Sequence, residues 1–244
     1  MKKFPIYCIN LKHRKDRKKH SLKEFKKLGL SSDKIIYPNF IKDKRGGVYG
    51  CYESHIYIWN NFFKKYPDNK YCLIFEDDFI INNNTNIILK KATKFIDKNY
   101  NNIDMLFLHN LKLHVDNKLN NKYFTNGYGL CMHSYFITRN YIQSLITKYN
   151  KIPKPNGYHI DFNINIDYNN SIHSNKLFFT NIECVKQIVD NSDNYLNWFD
   201  KLFRKDINVQ VNNVIKIFLF IKKIKLMNTK QIKTLLTFVG KYLI

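Results

Sequence analysis

Tyr71-Cys72-Leu73-Ile74-Phe75-Glu76-Asp77-Asp78 is the stretch that decides the fold. Its first five residues form a short, continuous apolar run. The run is too short for a helix and reads as a buried strand. Three acids follow it directly. In open α/β sheets, ligands bind off the carboxyl ends of strands, so this strand points its acids at a candidate site.

The same alternation extends outward in both directions. Residues 6–11 read as a buried strand. Residues 12–27 read as a helix, with Leu22, Phe25 and Leu28 at helical spacing and Gly29 as a stop. Residues 34–40 read as a second strand and 42–50 as a basic, glycine-rich loop. The spacing of Ile56, Trp59, Phe62 and Phe63 predicts an amphipathic helix over 52–66. Beyond the acids, a helix is expected over 87–96, a strand over 104–109 and a polar excursion over 110–125. A strand over 130–138, a helix over 140–149, a short helix from about His159 and a strand over 177–180 complete the pattern. Strands alternating with helices imply an α/β fold, a Rossmann-type, mainly parallel sheet flanked by helices. From residue 208 the pattern changes to basic and apolar residues at helical spacing. The expected organisation is one domain over 1–200 and a basic amphipathic helical tail over 201–244.

With 244 residues, 44% hydrophobic and 16% aromatic, the chain can bury a sizeable core. Mean hydropathy is -0.43, and no stretch of 18 apolar residues exists, so no spanning helix is expected. The apolar run after Met1-Lys2-Lys3 is too short for a signal peptide. Five scattered cysteines, without a CxxC pair, read as reduced core residues. The expectation is a cytoplasmic protein. The net charge is +22, with 41 Lys+Arg against 19 Asp+Glu. It admits two readings, attraction to anionic partners or the coding bias that also enriches Asn, Ile and Tyr. Nucleic acid is the competing partner class on charge alone. Most aromatics sit at buried spacings, so no nucleic-acid partner is expected.

Three constellations carry chemistry. The triplet Glu76-Asp77-Asp78 repels itself, and a divalent cation would relieve that repulsion while holding phosphates. An acidic turn capping the helix near Thr85 is the plainer alternative. The second constellation is Asn10-Leu11-Lys12-His13-Arg14-Lys15-Asp16-Arg17, which follows the first strand and opens a helix. There, backbone N–H groups, the helix dipole and guanidinium groups favour phosphate, unless the run is simply a solvated basic face. The third runs from Gly46-Gly47 to Ser54-His55, where glycines permit close backbone approach and Ser54 and His55 are expected in a first helical turn. No GxxxxGK[ST] occurs, so a phosphate-binding loop of the ATPase type is excluded.

Taken together, Ile9-Asn10-Leu11…Arg14…Arg17, Gly47…Gly50-Cys51…Ser54-His55…Trp59 and Phe75-Glu76-Asp77-Asp78 resemble glycosyltransferase family 25. That family includes lipooligosaccharide and collagen hydroxylysine galactosyltransferases. Fainter likenesses follow at Tyr128 to Thr138, Ile160-Asp161, Val185-Lys186-Gln187 and Ser192-Asp193, so the resemblance covers about residues 4 to 195. Glu53 and Asn140-Tyr141 depart from the family pattern, and Glu53 could alter the nucleotide pocket.

The resemblance implies a GT-A-like fold that binds a UDP-sugar with Mn²⁺ or Mg²⁺. It implies transfer of a hexose, galactose or glucose, with inversion, to a hydroxyl of a glycan or of a collagen-like hydroxylysine acceptor. Asp78 would ligate the metal directly, and Glu76 would touch it through water or hold the loop. Asp77 would face the ribose or the sugar. Asn10, Leu11 and Arg14 would line the nucleotide pocket, with Arg17, Ser54 and His55 near the phosphates. Gln187 would hydrogen-bond the donor. Asp161 would be the general base, with Asp167 in reserve, and His159 and His173 would be metal or phosphate partners. The tail could dock on the domain, contact a membrane surface peripherally or form a homodimer. A scaffold that has lost activity is the remaining alternative.

Overall fold

The computed structural model describes residues 4–109, 112–116, 121–129, 131–149, 160, 164, 176–182 and 184–188. Ten strands and four α-helices occur among them. In chain order they are β1 (Ile6–Ile9), α1 (Lys15–Lys27), β2 (Ile35–Ile36), α2 (Gly47–Lys65), β3 (Tyr71–Glu76), β4 (Phe79–Ile81) and α3 (Thr85–Lys98). There follow β5 (Met105–Phe107), β6 (Lys112–Asp116), β7 (Phe124–Gly129), β8 (Ser134–Thr138), α4 (Arg139–Tyr149), β9 (Leu177–Thr180) and β10 (Val185–Gln187).

Eight strands form one sheet in the order β2-β1-β3-β8-β5-β9-β7-β6. Six point one way; β8 and β7 run against them. The α/β class and the mainly parallel sheet expected from the sequence are therefore what the chain forms. β3 lies inside the sheet, and all its residues but Glu76 are buried. Its neighbour β1 pairs with it in parallel, Ile9 opposite Glu76.

Alternate residues of each strand serve different cores, as the period of two requires. Cys8, Leu73 and Phe75 face α1 and α3, joining Phe25, Ile88, Leu89, Ala92 and Ile96. Tyr7, Cys72 and Ile74 face α2 and α4, joining Tyr52, Ile58, Trp59, Phe62, Ile142 and Leu145. Ile160 and Ile164 are helical and belong to the second core. Phe75 packs between Phe25 and Phe79 with ring centroids 5.1 and 4.6 Å away. Arg139 opens α4 and donates to the carbonyls of Phe63, Tyr66 and Asn69. A guanidinium there satisfies orphan carbonyls at the end of α2 and complements its dipole.

Several boundaries differ from the sequence reading. α1 starts at Lys15, because Asn10–Arg14 forms a turn closed by Arg14 N–H on the Leu11 carbonyl (2.8 Å). The strand expected over 34–40 shrinks to two residues plus a bridge from Leu11 to Phe40, since Pro38 cannot donate to a ladder. α2 starts at Gly47, five residues early. Gly46, at φ 117°, turns the chain into it, a conformation that favours glycine. Ser54 and His55 consequently lie in its second and third turns. The excursion over 110–125 contributes β6 and the start of β7, an antiparallel pair at the sheet edge. β4 and β10 form a separate two-stranded sheet. Glu24 supports it by accepting from Ile81 N–H at 2.8 Å. The tail expected over 201–244 lies outside the described residues.

Phe75→Ala should cost about 3–5 kcal/mol, as aromatic deletions in cores do. Thermal unfolding should shift down by about 10 °C; an unchanged midpoint would mean that the Phe25–Phe75–Phe79 stack is not part of the core.

Candidate active site at the carboxyl edge of the sheet

The parallel β1–β3 pair ends with Asn10 beside Asp77. The Asn10 amide donates to Asp77 Oδ2 at 2.6 Å and to the Arg14 carbonyl at 3.1 Å, so one side chain ties the acid to the basic turn. Arg17, one turn into α1 and only 7% exposed, brings Nη1 to 3.8 Å from Asp78 Oδ2. Gln187 Nε2 donates to the same oxygen at 3.1 Å, and Ile188 N–H donates to the Asp78 carbonyl at 2.6 Å. The β4–β10 pairing, Gln187 opposite Phe79, puts Gln187 there.

Together these elements enclose a cleft of about 90 Å³. Asn10, Leu11, Arg14, Arg17, Ser54, Glu76, Asp77 and Asp78 all line it, as do Lys42, Asp43, Gly47, Gly50 and Cys51. Gly50 lies close to Asp43, whose Cβ would stand 3.3 Å from a Cβ at position 50. Ser54 Oγ donates to the Gly50 carbonyl at 2.7 Å. Arg14 pairs with Asp16, Nη2 to Oδ2 at 2.9 Å. Glu53 turns to Arg45 (3.1 Å) and does not line the cleft. Asp161, Asp167, His159 and His173 lie outside the described residues.

His55 meets Glu76 rather than the cleft's open side. A chain of hydrogen bonds holds it in place. Trp59 Nε1 can only donate, and it donates to the Tyr135 hydroxyl at 3.2 Å. The same hydroxyl lies 2.7 Å from His55 Nδ1. The Glu76 carboxylate, held ionised, can only accept, so His55 Nε2 donates to its Oε1 at 3.3 Å. The Cys51 thiol donates to the same oxygen at 3.8 Å. Cys51, His55 and Glu76 bring their ligand atoms within 4.8 Å of one another, a set chemically suited to a transition metal. Cys51 and His55 converge on the one oxygen Oε1 and clamp the carboxylate.

Sequence reasoning missed Lys42, Asp43, Cys51, Tyr135 and His133. Glu76 N–H donates to the His133 carbonyl at 2.9 Å. The Tyr135 hydroxyl left no trace in a run that reads simply as buried strand.

The three acids occupy three electrostatic environments. Burial alone would raise the Glu76 carboxyl, but the His55 hydrogen bond and the imidazoles of His55 and His133 outweigh it and hold it below the usual carboxylate range. Burial pushes Asp77 up to about 6, against the Asn10 hydrogen bond and the Arg17 charge. Burial, then the charges of Glu76 and Asp77, push Asp78 up to about 8. Asp78 Oδ1 is buried with no hydrogen-bond partner among the described residues. A buried carboxylate oxygen without a donor, beside two further acids, fits a hard divalent cation.

A mixed α/β sheet that gathers carboxylates and guanidinium groups at its carboxyl edge defines a protein that handles a ligand there. Within that class, residues 45–164, just under half of the chain, match the family model for glycosyltransferase family 25 (LPS biosynthesis protein). The matched segment includes the glycine loop, α2, the acid triplet and β8; the Asn10–Arg17 turn and Gln187 lie outside it. No curated protein matches the chain. Among solved structures, A197 from STIV is similar at 13% identity and a TM-score of 0.44, over 76% of this chain and 85% of that one. A glycosyltransferase involved in the glycosylation of the major capsid of PBCV-1 is similar at 14% identity and a TM-score of 0.42, over 67% and 73%. Apo-UDP-glucose pyrophosphorylase follows at 7% and 0.41, over 72% of each chain.

An Asp78 carboxyl near 8 in the folded chain, against an ordinary value of 3.8, means that folding takes up a proton between those limits. Its contribution to stability is full below about pH 4 and is lost as pH rises to about 8. In chelator, the unfolding midpoint of the wild type should fall between pH 6 and pH 8.5, and Asp78→Asn should remove most of that fall. An equal fall in the variant would mean that another group carries it.

Proposed function

We propose that the protein transfers a hexose, galactose or glucose, from a UDP-sugar to a hydroxyl of a glycan or of a collagen-like hydroxylysine acceptor. The observation that carries this reading is the buried oxygen of Asp78 that has no donor among the described residues, set between neighbouring acids and the Arg17 guanidinium. Such an arrangement suits a diphosphate bridged to the protein by a cation, with arginine alongside.

Asp78 and, through water, Glu76 would hold Mn²⁺ or Mg²⁺. When bound, the metal supplies positive charge where the departing diphosphate gathers negative charge. Arg17 adds fixed charge on the same side of the cleft. Arg14 joins it by exchanging Asp16 for phosphate. Asp77, anchored to Asn10 through one oxygen, keeps the other for a ribose or sugar hydroxyl. The His55 clamp does the same for Glu76, leaving Oε2 to face the ligand. Gln187 would orient Asp78 against the donor.

Inversion proceeds in one displacement. The acceptor oxygen forms its bond to the anomeric carbon as the bond to the β-phosphate oxygen breaks. The hydroxyl proton passes to a general base, for which Asp161 is the candidate, and UDP leaves with the bonding pair.

A UDP-sugar panel read by thermal shift, with and without Mn²⁺, tests the reading. One UDP-sugar should stabilise the protein, more strongly with the metal. Asp78→Ala should lower UDP release in the presence of acceptor by about 10²-fold or more. Transfer at the wild-type rate in chelator, or by Asp78→Ala, would overturn the metal role.

A further inference from the structure

The charge of +22 is not spread evenly over the fold. α1 and α3 cover one face of the sheet, sharing one core. Their ends meet where the Asn86 amide donates to the Lys27 carbonyl at 3.4 Å. Of the thirteen residues that these two helices expose, ten are lysines, six on α1 and four on α3. α2 and α4 cover the other face, and only two of their seven described exposed residues are lysines. A coding bias toward lysine enriches a whole chain; it has no means of choosing one helix layer. Asp16 is the one exposed acid of the lysine-rich layer, and Arg14 already neutralises it.

We infer that the α1/α3 layer docks the protein on an anionic lipid surface. The lysines are of the diffuse kind suited to such a surface. None of the thirteen exposed residues is an arginine, so bidentate recognition of individual phosphates is not what the layer offers. No aromatic residue is exposed on it, which leaves nothing for nucleobases to stack on. Its one exposed large apolar side chain is Ile87, at 55% exposure. Lys90, Lys91 and Lys94 follow it at i+3, i+4 and i+7, on the same stripe of α3. An apolar side chain ringed by lysines can enter the headgroup region while the ammonium groups stay with the phosphates. The cleft opens at the amino end of α1, where Arg14 and Arg17 line it. It therefore lies at the rim of the docking layer. The inference does not depend on which donor the cleft takes.

The test is co-sedimentation of the full chain with phosphatidylglycerol-containing vesicles and with phosphatidylcholine vesicles, at low and at physiological salt. Four variants are compared: the quadruple Lys19→Gln/Lys23→Gln/Lys90→Gln/Lys94→Gln, the single Ile87→Ser, the control Lys64→Gln/Lys65→Gln on the opposite layer, and Lys216→Gln/Lys222→Gln/Lys223→Gln/Lys225→Gln in the tail. Each lysine close to an anionic surface is worth about fivefold in binding before screening. The wild type should prefer the anionic vesicles and lose binding with salt. The α1/α3 quadruple should bind about 10²-fold more weakly, with an unchanged circular dichroism spectrum, and Ile87→Ser a few-fold more weakly. The opposite-layer control should bind as the wild type does. Equal binding to both vesicle types would overturn the inference. So would a quadruple variant that binds like the wild type while the tail variant does not. Tighter, quadruple-sensitive binding to a single-stranded oligonucleotide than to the anionic vesicles would replace the lipid by nucleic acid.

Discussion

The parallel pairing of β1 with β3 is the constraint on which the site depends. With Ile9 opposite Glu76, the residues that leave the two strands are a basic turn and an acidic triplet, side by side. The acids would not be tolerable alone in so buried a place. Desolvating a carboxylate is costly unless hydrogen bonds or opposite charge offset it. Asn10, Arg17, Gln187 and His55 each supply part of that offset, and each comes from a different element. The compensation is unequal. Glu76 has imidazoles on one side and stays ionised. Asp78 has a distant guanidinium and two like-charged neighbours, and holds its proton to about pH 8. Three adjacent acids thereby become three different groups, without any difference in their intrinsic chemistry.

The reversed strand β8 matters as much as the parallel pair. Because it runs against β3, it begins at the edge where β3 ends, with Ser134 opposite Phe75. The residues that lead into it therefore reach the site. His133 accepts from the Glu76 amide, and Tyr135 holds His55. A parallel strand in that position would have begun at the far edge. The hydroxyl of Tyr135 also has to satisfy Trp59, so α2, β8 and the acid triplet are joined through one oxygen. Such a network fixes a side chain more tightly than a single contact does, because no member can rotate without leaving a buried donor unpaired.

What was legible in the sequence follows from what local pattern can encode. The run 71–75 has one reading, so β3 and the placement of its acids were plain. The buried stripe of α2 was equally plain, because Trp59 and Phe62 recur at helical spacing. The start of α2 was not, since Gly47 and Gly50 normally signal a loop and here lie inside the helix. β4 and β10 were missed because three-residue strands have no periodicity to read. The lysines and asparagines of 110–125 hid β6, an edge strand whose stability comes from its partner rather than its own residues. Contacts made across long sequence separations were out of reach as well. Gln187 reaches Asp78 over 109 positions, and only a family likeness suggested the two belong together.

Charge illustrates the same limit from the opposite side. A net charge of +22 is a property of composition and names no partner. Position relative to the core gives it meaning. Arg17 sits on α1 among lysines that face solvent, yet it turns inward to the acids and is 7% exposed. Its neighbours Lys15, Lys18 and Lys19 are all exposed. A single helix thus divides a basic run into a local counter-charge for a buried site and a long-range field on the outer face. The division is set by the helical period, with Phe25 and Ser21 fixing which side is buried. Chemistry at short range and attraction at long range are therefore separable by mutation, even though the residues responsible are neighbours in the sequence.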